Sequence, residues 1–203
     1  MDLFNPLRWS MQLAALAAPG LKAWTLERSV NRSEAERALK SQNYEEAEEF
    51  LKLAVEEADA LRHSARRTQF RLQLGEAQRK LGKLEEAEKT IREALEFTAR
   101  VSNPSGYLHG LDVLAEIFHD SENFAAMEAA LVEGVKIESS MPHPDAMRMA
   151  RRVHRLGTAR QKNGRTEDAI PTLEKALRLT EDLAGKDSPE TAALLSELGV
   201  LHR

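Results

Sequence analysis

A Leu-small pair recurs down this chain, at Leu74-Gly75, Leu114-Ala115, Leu156-Gly157 and Leu198-Gly199, with spacings of 40, 42 and 42 residues. Twelve residues after each of the first three small residues stands Ala87, Met127 or Ala169, and seven further on Ala94, Gly134 or Ala176. Self-similarity at such a period marks a stacked repeat array, because one unit cannot bury its own apolar face and must lay it against a neighbour. An array of this kind leaves a long surface free. Its expected role is therefore binding, unless a catalytic constellation has been added.

Within one period the pattern is helical. Leu72, Leu74, Ala77 and Leu81 recur at helix spacing, and after Gly82-Lys83 so do Leu84, Ala87, Ile91, Ala94 and Leu95. This predicts a helix, a tight turn and an antiparallel helix, with Gly75, Ala87 and Ala94 small because two helices cross closely there. The next unit is expected over about 107–120 and 123–137, where Gly134 replaces the usual alanine at a helix-propensity cost of about 1 kcal/mol. Another runs over about 144–163 and 166–183, turning at Gly164. A degenerate first unit carries Tyr44, Ala47, Leu51 and Ala54 in its second helix, with Glu34-Ala35 in place of Leu-Gly. The expected fold is an all-α solenoid of antiparallel helix pairs. Residues 1–28 form an apolar N-terminal cap region, and residues 29–203 an array of about four pairs plus the first helix of a fifth.

The Leu-Gly pair, the alanine twelve residues on and the alanine seven after that resemble tetratricopeptide (TPR) repeats. The ordinary period of that family is 34 residues, and the longer spacing here is similar to the kinesin-light-chain subtype. Asp168-Ala169-Ile170-Pro171, then Leu173 and Lys175-Ala176-Leu177, then Leu183-Ala184-Gly185-Lys186-Asp187-Ser188-Pro189-Glu190-Thr191-Ala192, look like that subtype's second helix, loop and next first helix. The resemblance implies a right-handed superhelix whose first helices line a concave groove. It implies a non-catalytic scaffold or adaptor, without cofactor or metal, that holds a protein or an extended peptide. The family geometry directs Arg32, Gln69, Glu76, Asp112, Glu116, Arg151, His154, Arg155 and Thr158 into the groove. Where kinesin-light-chain repeats carry cargo-holding asparagines, this chain has Leu72-Gln73, Asp112-Val113, His154-Arg155 and Ser196-Glu197.

Composition narrows the partners. The 203 residues are 42% hydrophobic and 31% charged, with a formal net charge of −4, and cations are spread among anions, so no footprint for a phosphate backbone is visible and nucleic acid is not expected. Cysteine is absent, which excludes a disulfide framework, a thiolate zinc site and cysteine nucleophiles and suits a reducing cytoplasm. No Gly-x-Ser-x-Gly, His-Glu-x-x-His or Gly-x-Gly-x-x-Gly occurs, so an enzyme is not expected.

One polar stripe stands out. His109, Asp112, Glu116 and Asp120 fall on one helix face, and the following first helix presents Arg148, Arg151, Arg152, His154 and Arg155. Two readings stay open: these helices pair with each other across the stack, or they line a groove whose charge changes sign along its length.

Both ends carry apolar surface. Between Asn5-Pro6 and Pro19-Gly20 a short helix is expected, with Leu7, Met11, Ala14 and Ala18 along one side. It is too short to span a membrane. Residues 3–18 either pack on the first repeat or contact a membrane surface, the second being the alternative reading of the chain as a membrane-peripheral assembly factor. At the other end, the helix expected over 189–203 has Leu194, Leu198 and Leu201 to pack inward and Ala192, Leu195 and Val200 on its far side. The expectation is self-association through this helix, or a longer array of which this chain is part.

Overall fold

The computed structural model of the protein describes residues 21–60, 64–98 and 103–201. Among them lie nine helices and no strand: α1 (Leu21–Lys40), α2 (Tyr44–Ala60), α3 (Ser64–Lys80), α4 (Leu84–Phe97), α5 (Pro104–Asp120), α6 (Phe124–Ser139), α7 (Ala146–Lys162), α8 (Thr166–Ala184) and α9 (Pro189–Leu201). Each packs on the next in chain order, and α3 also touches α5. The odd-numbered helices are the first, or A, members of their pairs and the even-numbered ones the B members. The result is an all-α solenoid. The helix expected between residues 5 and 20 lies outside the described residues, whereas α1 runs unbroken through residue 28.

The four A-to-B turns are built alike. One residue in each adopts the left-handed conformation: Gln42 (φ 58°), Gly82 (74°), Glu122 (56°) and Gly164 (75°). The amide after it reaches back into the A helix, Asn43 to Ala38 O at 2.9 Å, Lys83 to Gln78 O at 2.9 Å, Asn123 to Phe118 O at 2.8 Å and Arg165 to Arg160 O at 2.8 Å. This C-terminal motif satisfies carbonyls that the helix end leaves without partners. Glycine takes the left-handed position without strain, and Gln42 and Glu122 hold it at a cost. Five helices also begin on side-chain caps: Asn43 accepts from Glu46 N (3.4 Å), Asn103 from Gly106 N (3.0 Å), Asn123 from Ala126 N (3.2 Å), Asp145 from Arg148 N (3.0 Å) and Ser188 from Thr191 N (3.1 Å). Pro171 sits in the second turn of α8 and lacks the amide that would donate to the carbonyl four residues back.

Between the helices run three apolar cores. Phe50, Leu51, Leu74 and Ala77 join the first pair to the second. Ile91, Leu114, Phe118, Leu131 and Leu156 join the second, third and fourth, and Val153, Leu173, Leu194 and Leu198 join the fourth to α9. The repeated small residues lie where the sequence pattern puts them: a Cβ on Gly157 would fall 2.5 Å from Leu173 Cδ2. Two charged staples reinforce the stack. Buried Glu48 of α2 accepts from Lys83 Nζ (2.6 Å) in the next turn, and nearly buried Glu128 of α6 accepts from Arg160 (3.0 Å) and Arg165 (2.7 Å). None of the described helices is long and apolar enough to cross a membrane.

Candidate functional site

The stripe on α5 and the stripe on α7 face each other across an open groove of about 650 Å³. α5 supplies His109, Asp112, Glu116, His119 and Asp120, α7 supplies Arg148, Arg151, Arg152, Arg155 and Thr158, and Arg79 of α3 and Met127 of α6 complete the lining.

Most of these charges are engaged with one another. Arg79 binds Glu116 at 2.8 Å and Asp120 at 2.6 Å. Asp120 titrates below the ordinary range: burial works to raise it, and hydrogen bonds from Arg79 and His119 outweigh that. Arg155 sends Nη1 toward Glu116 at 3.8 Å and donates from Nη2 to the Asp112 carbonyl at 3.3 Å. Burial lowers its pKa, against the opposing pull of Glu116 and Asp112. At the upstream end His109 Nε2 meets Glu76 Oε1 at 3.3 Å. Its imidazole is raised above its ordinary value first by that bond, with Asp112 adding to the effect and burial and Arg148 opposing it.

The groove floor holds a buried triad. Arg152 is only 2% exposed and clamps Asp112 side-on, Nε to Oδ1 at 2.8 Å and Nη2 to Oδ2 at 2.6 Å. Its Nη1 donates to Glu138 of α6, which is 1% exposed. Glu138 also accepts from the Asp145 amide at 3.2 Å, so one carboxylate ties the end of α6 to the start of α7. Burial works to lower the Arg152 pKa, and Asp112 and Glu138 outweigh it and hold the guanidinium charged. The stem of Arg152 passes over Gly134, where a Cβ would fall 2.7 Å from Cδ. The absent side chain at Gly134 is what admits the arginine.

Asp112, Glu116, Arg151, Arg155 and Thr158, expected in the groove, lie together on its wall. Glu76 stands beside it, bonded to His109. His154 faces α9 instead, its Nε2 2.7 Å from Glu197 Oε2, and Thr158 donates to the same carboxylate at 3.0 Å. Arg32 pairs with Glu36 on α1 at 2.8 Å, and Gln69 is exposed on α3; neither lines this groove. Arg79 is absent from the expected set. Its signal in the sequence is opposite charge one period apart: 41 residues separate it from Asp120, as 40 separate Arg152 from Asp112.

Glu138, Asp145 and Glu76, which do not line the groove, also pair with residues that do. Five arginines line it against three carboxylates. Arg148 has a long contact to Asp145 (3.4 Å), and Arg151 is exposed with no ion pair to a described residue. No group of His, Asp and Glu among the described residues has the arrangement of a metal site.

Comparison with known proteins agrees with this architecture. Two tetratricopeptide-repeat family models match, one over residues 148–203 and one over residues 68–99. A Podosopora anserina structure described as a kinesin light chain with nearly identical TPR-like repeats superposes with a TM-score of 0.71 at 23% identity, over 86% of each chain. BtubC (BKLC) from P. vanneervenii gives 0.70 at 20%, over 83% of this chain and 68% of that one. Aspartyl phosphate phosphatase F from Bacillus subtilis gives 0.66 at 15%, over 88% and 49%. At these identities the likeness is one of fold. No curated protein sequence matches. Two stretches of the chain thus match tetratricopeptide-repeat models, and its fold is that of tetratricopeptide-repeat solenoids, the kinesin-light-chain repeats among them. Its architecture is that of a protein-interaction scaffold.

Proposed function

We propose that the groove between α5 and α7 holds an extended segment of a partner protein, with acidic side chains of that segment meeting Arg151 and Arg148. The observation that carries this reading is the state of the charges: the groove carboxylates are already engaged by Arg79, Arg152 and Arg155, whereas Arg151 has no ion pair among the described residues. A partner therefore meets cationic surface even though the chain as a whole is acidic. Charge in such a concavity sets specificity and association rate more than raw affinity, so reversal matters more than truncation.

The test is affinity recovery from the native cell with the full chain as bait, parent against Arg151→Glu. Arg151 is exposed and has no ion pair to a described residue, so helicity and melting temperature should stay unchanged while the partner is lost. Undiminished recovery by the folded variant would place the site elsewhere.

A further inference from the structure

The upstream end of the groove brings one imidazole to two guanidiniums. His109 of α5 and Arg148 and Arg151 of α7 line it, all three exposed. His109 and Arg151 hold the same place in successive A helices, each six residues before the small residue of its repeat, Ala115 or Gly157. An acidic side chain seated on Arg148 and Arg151 therefore lies across from the ring of His109.

The charges around that ring come from three helices. Its Nε2 meets Glu76 of α3 at 3.3 Å, Asp112 stands one turn on along α5, and Arg148 acts on it from α7. The other neighbours of α5 meet it on its buried side, where Leu111 and Leu114 pack with Ile91 of α4 and Leu131 of α6. From α6, Glu133 accepts from the Tyr107 hydroxyl (2.9 Å) and Glu138 holds Arg152; from α4, Arg92 lies over the Phe118 ring. Glu76 and Asp112 favour the protonated ring, and Arg148 opposes it by like charge. An anion seated on Arg148 cancels that opposition and adds its own attraction. The ring's donors change in the same sense. With one nitrogen serving Glu76, the neutral imidazole has only a lone pair at the other, which repels a carboxylate, whereas the protonated ring carries N–H groups at both.

We infer that His109 is a specificity-determining residue of this groove, a third anion-binding group beside Arg148 and Arg151 that works only when protonated, so that the hold on an acidic partner tightens as pH falls. The inference rests on the proposed function, and it adds regulation to that site. By linkage, the ratio of affinities below and above the titration of His109 equals the factor by which the partner shifts the imidazole equilibrium. Opposite charges about 4–6 Å apart in a water-like medium make that factor roughly threefold to fivefold.

The experiment uses the full chain and a labelled, capped hexaglutamate peptide as probe, with anisotropy titrations at about pH 6 and about pH 9, where the peptide stays ionised. His109, assigned by heteronuclear NMR, is titrated with and without the peptide. Binding should be roughly threefold to fivefold tighter at the lower pH, and the imidazole pKa should rise on binding by the matching amount. His109→Gln should bind equally at both, and Arg148→Gln should raise the imidazole pKa of the free protein. Binding that is independent of pH in the parent overturns the inference, as does a pH dependence that survives in His109→Gln. In either case the groove remains the site if Arg151→Glu abolishes binding. A parent that binds the peptide at neither pH overturns both readings.

Discussion

Gly134→Ala sets two effects of opposite sign against each other. Alanine within α6 favours the helix over glycine by about 1 kcal/mol. Against this, the new carbon would lie 2.7 Å from Arg152 Cδ and 3.0 Å from Nε, where carbon atoms rest comfortably at roughly 3.5–4.0 Å. An exposed arginine would swing aside. Arg152 is fastened at both ends of its guanidinium, by Asp112 and by Glu138, and its stem retreats only by loosening one of them. Stranding a buried charge costs about 3–5 kcal/mol. Taking the lower end and subtracting the helix gain leaves a net loss of about 2 kcal/mol. For a chain of this size that lowers the melting temperature by roughly 4–8 °C. Thermal unfolding followed by far-ultraviolet circular dichroism reads it directly. The companion experiment repeats the substitution in an Arg152→Ala background, where the Cδ and Nε that obstruct it are gone and Gly134→Ala should stabilise by about 1 kcal/mol. A Gly134→Ala protein that melts at or above the parent refutes the slot.

Other outcomes follow from the same geometry. Glu122→Gly removes a side chain from a left-handed position (φ 56°) and should stabilise by about 1 kcal/mol, whereas Gly164→Ala (φ 75°) should destabilise by about as much; denaturant midpoints compare them. Arg155→Glu, set beside Glu116 and the Asp112 carbonyl, should lower the melting temperature where Arg151→Glu does not. The folded-state pKa of His109 is raised, chiefly by Glu76. Its contribution is therefore fully present below the unfolded value and fades as pH rises through the folded one. The melting difference between the parent and His109→Gln should narrow as pH rises above the ordinary imidazole value of about 6.5, and a constant difference would count against the pair.

The period, the small residues at the helix crossings and the turns at Gly82 and Gly164 are legible in the sequence because each has a residue type that answers a local steric demand. The turns at Gln42 and Glu122 adopt the same conformation with residues that announce nothing, and the chain there is held by the helices on either side. The site is less legible. Arg151 and Arg155 lie four apart on one face of α7 and read alike, and only the position of Glu116 on another helix separates the free one from the paired one. Arg152 reads as a further member of a solvated stripe, since arginine is seldom buried without partners, and its partners come from α5 and α6. Gly134 reads as a defect in a helix when it is the opening that seats Arg152.

Of the pairs that bridge successive A helices, His109 with Glu76, Arg79 with Glu116 and Asp120, Arg155 with Glu116, and His154 with Glu197 are at least partly open to solvent, whereas A and B helices meet mainly through buried apolar side chains. The array is thus a leaf spring with unlike edges. Dissolved salt screens the first edge over a distance of about 8–10 Å and acts far less on the second, whose charged pairs are few and mostly buried. Its curvature is therefore set by the medium as well as by the covalent chain, and a partner bound along the A helices works against an elastic resistance that ionic strength can tune.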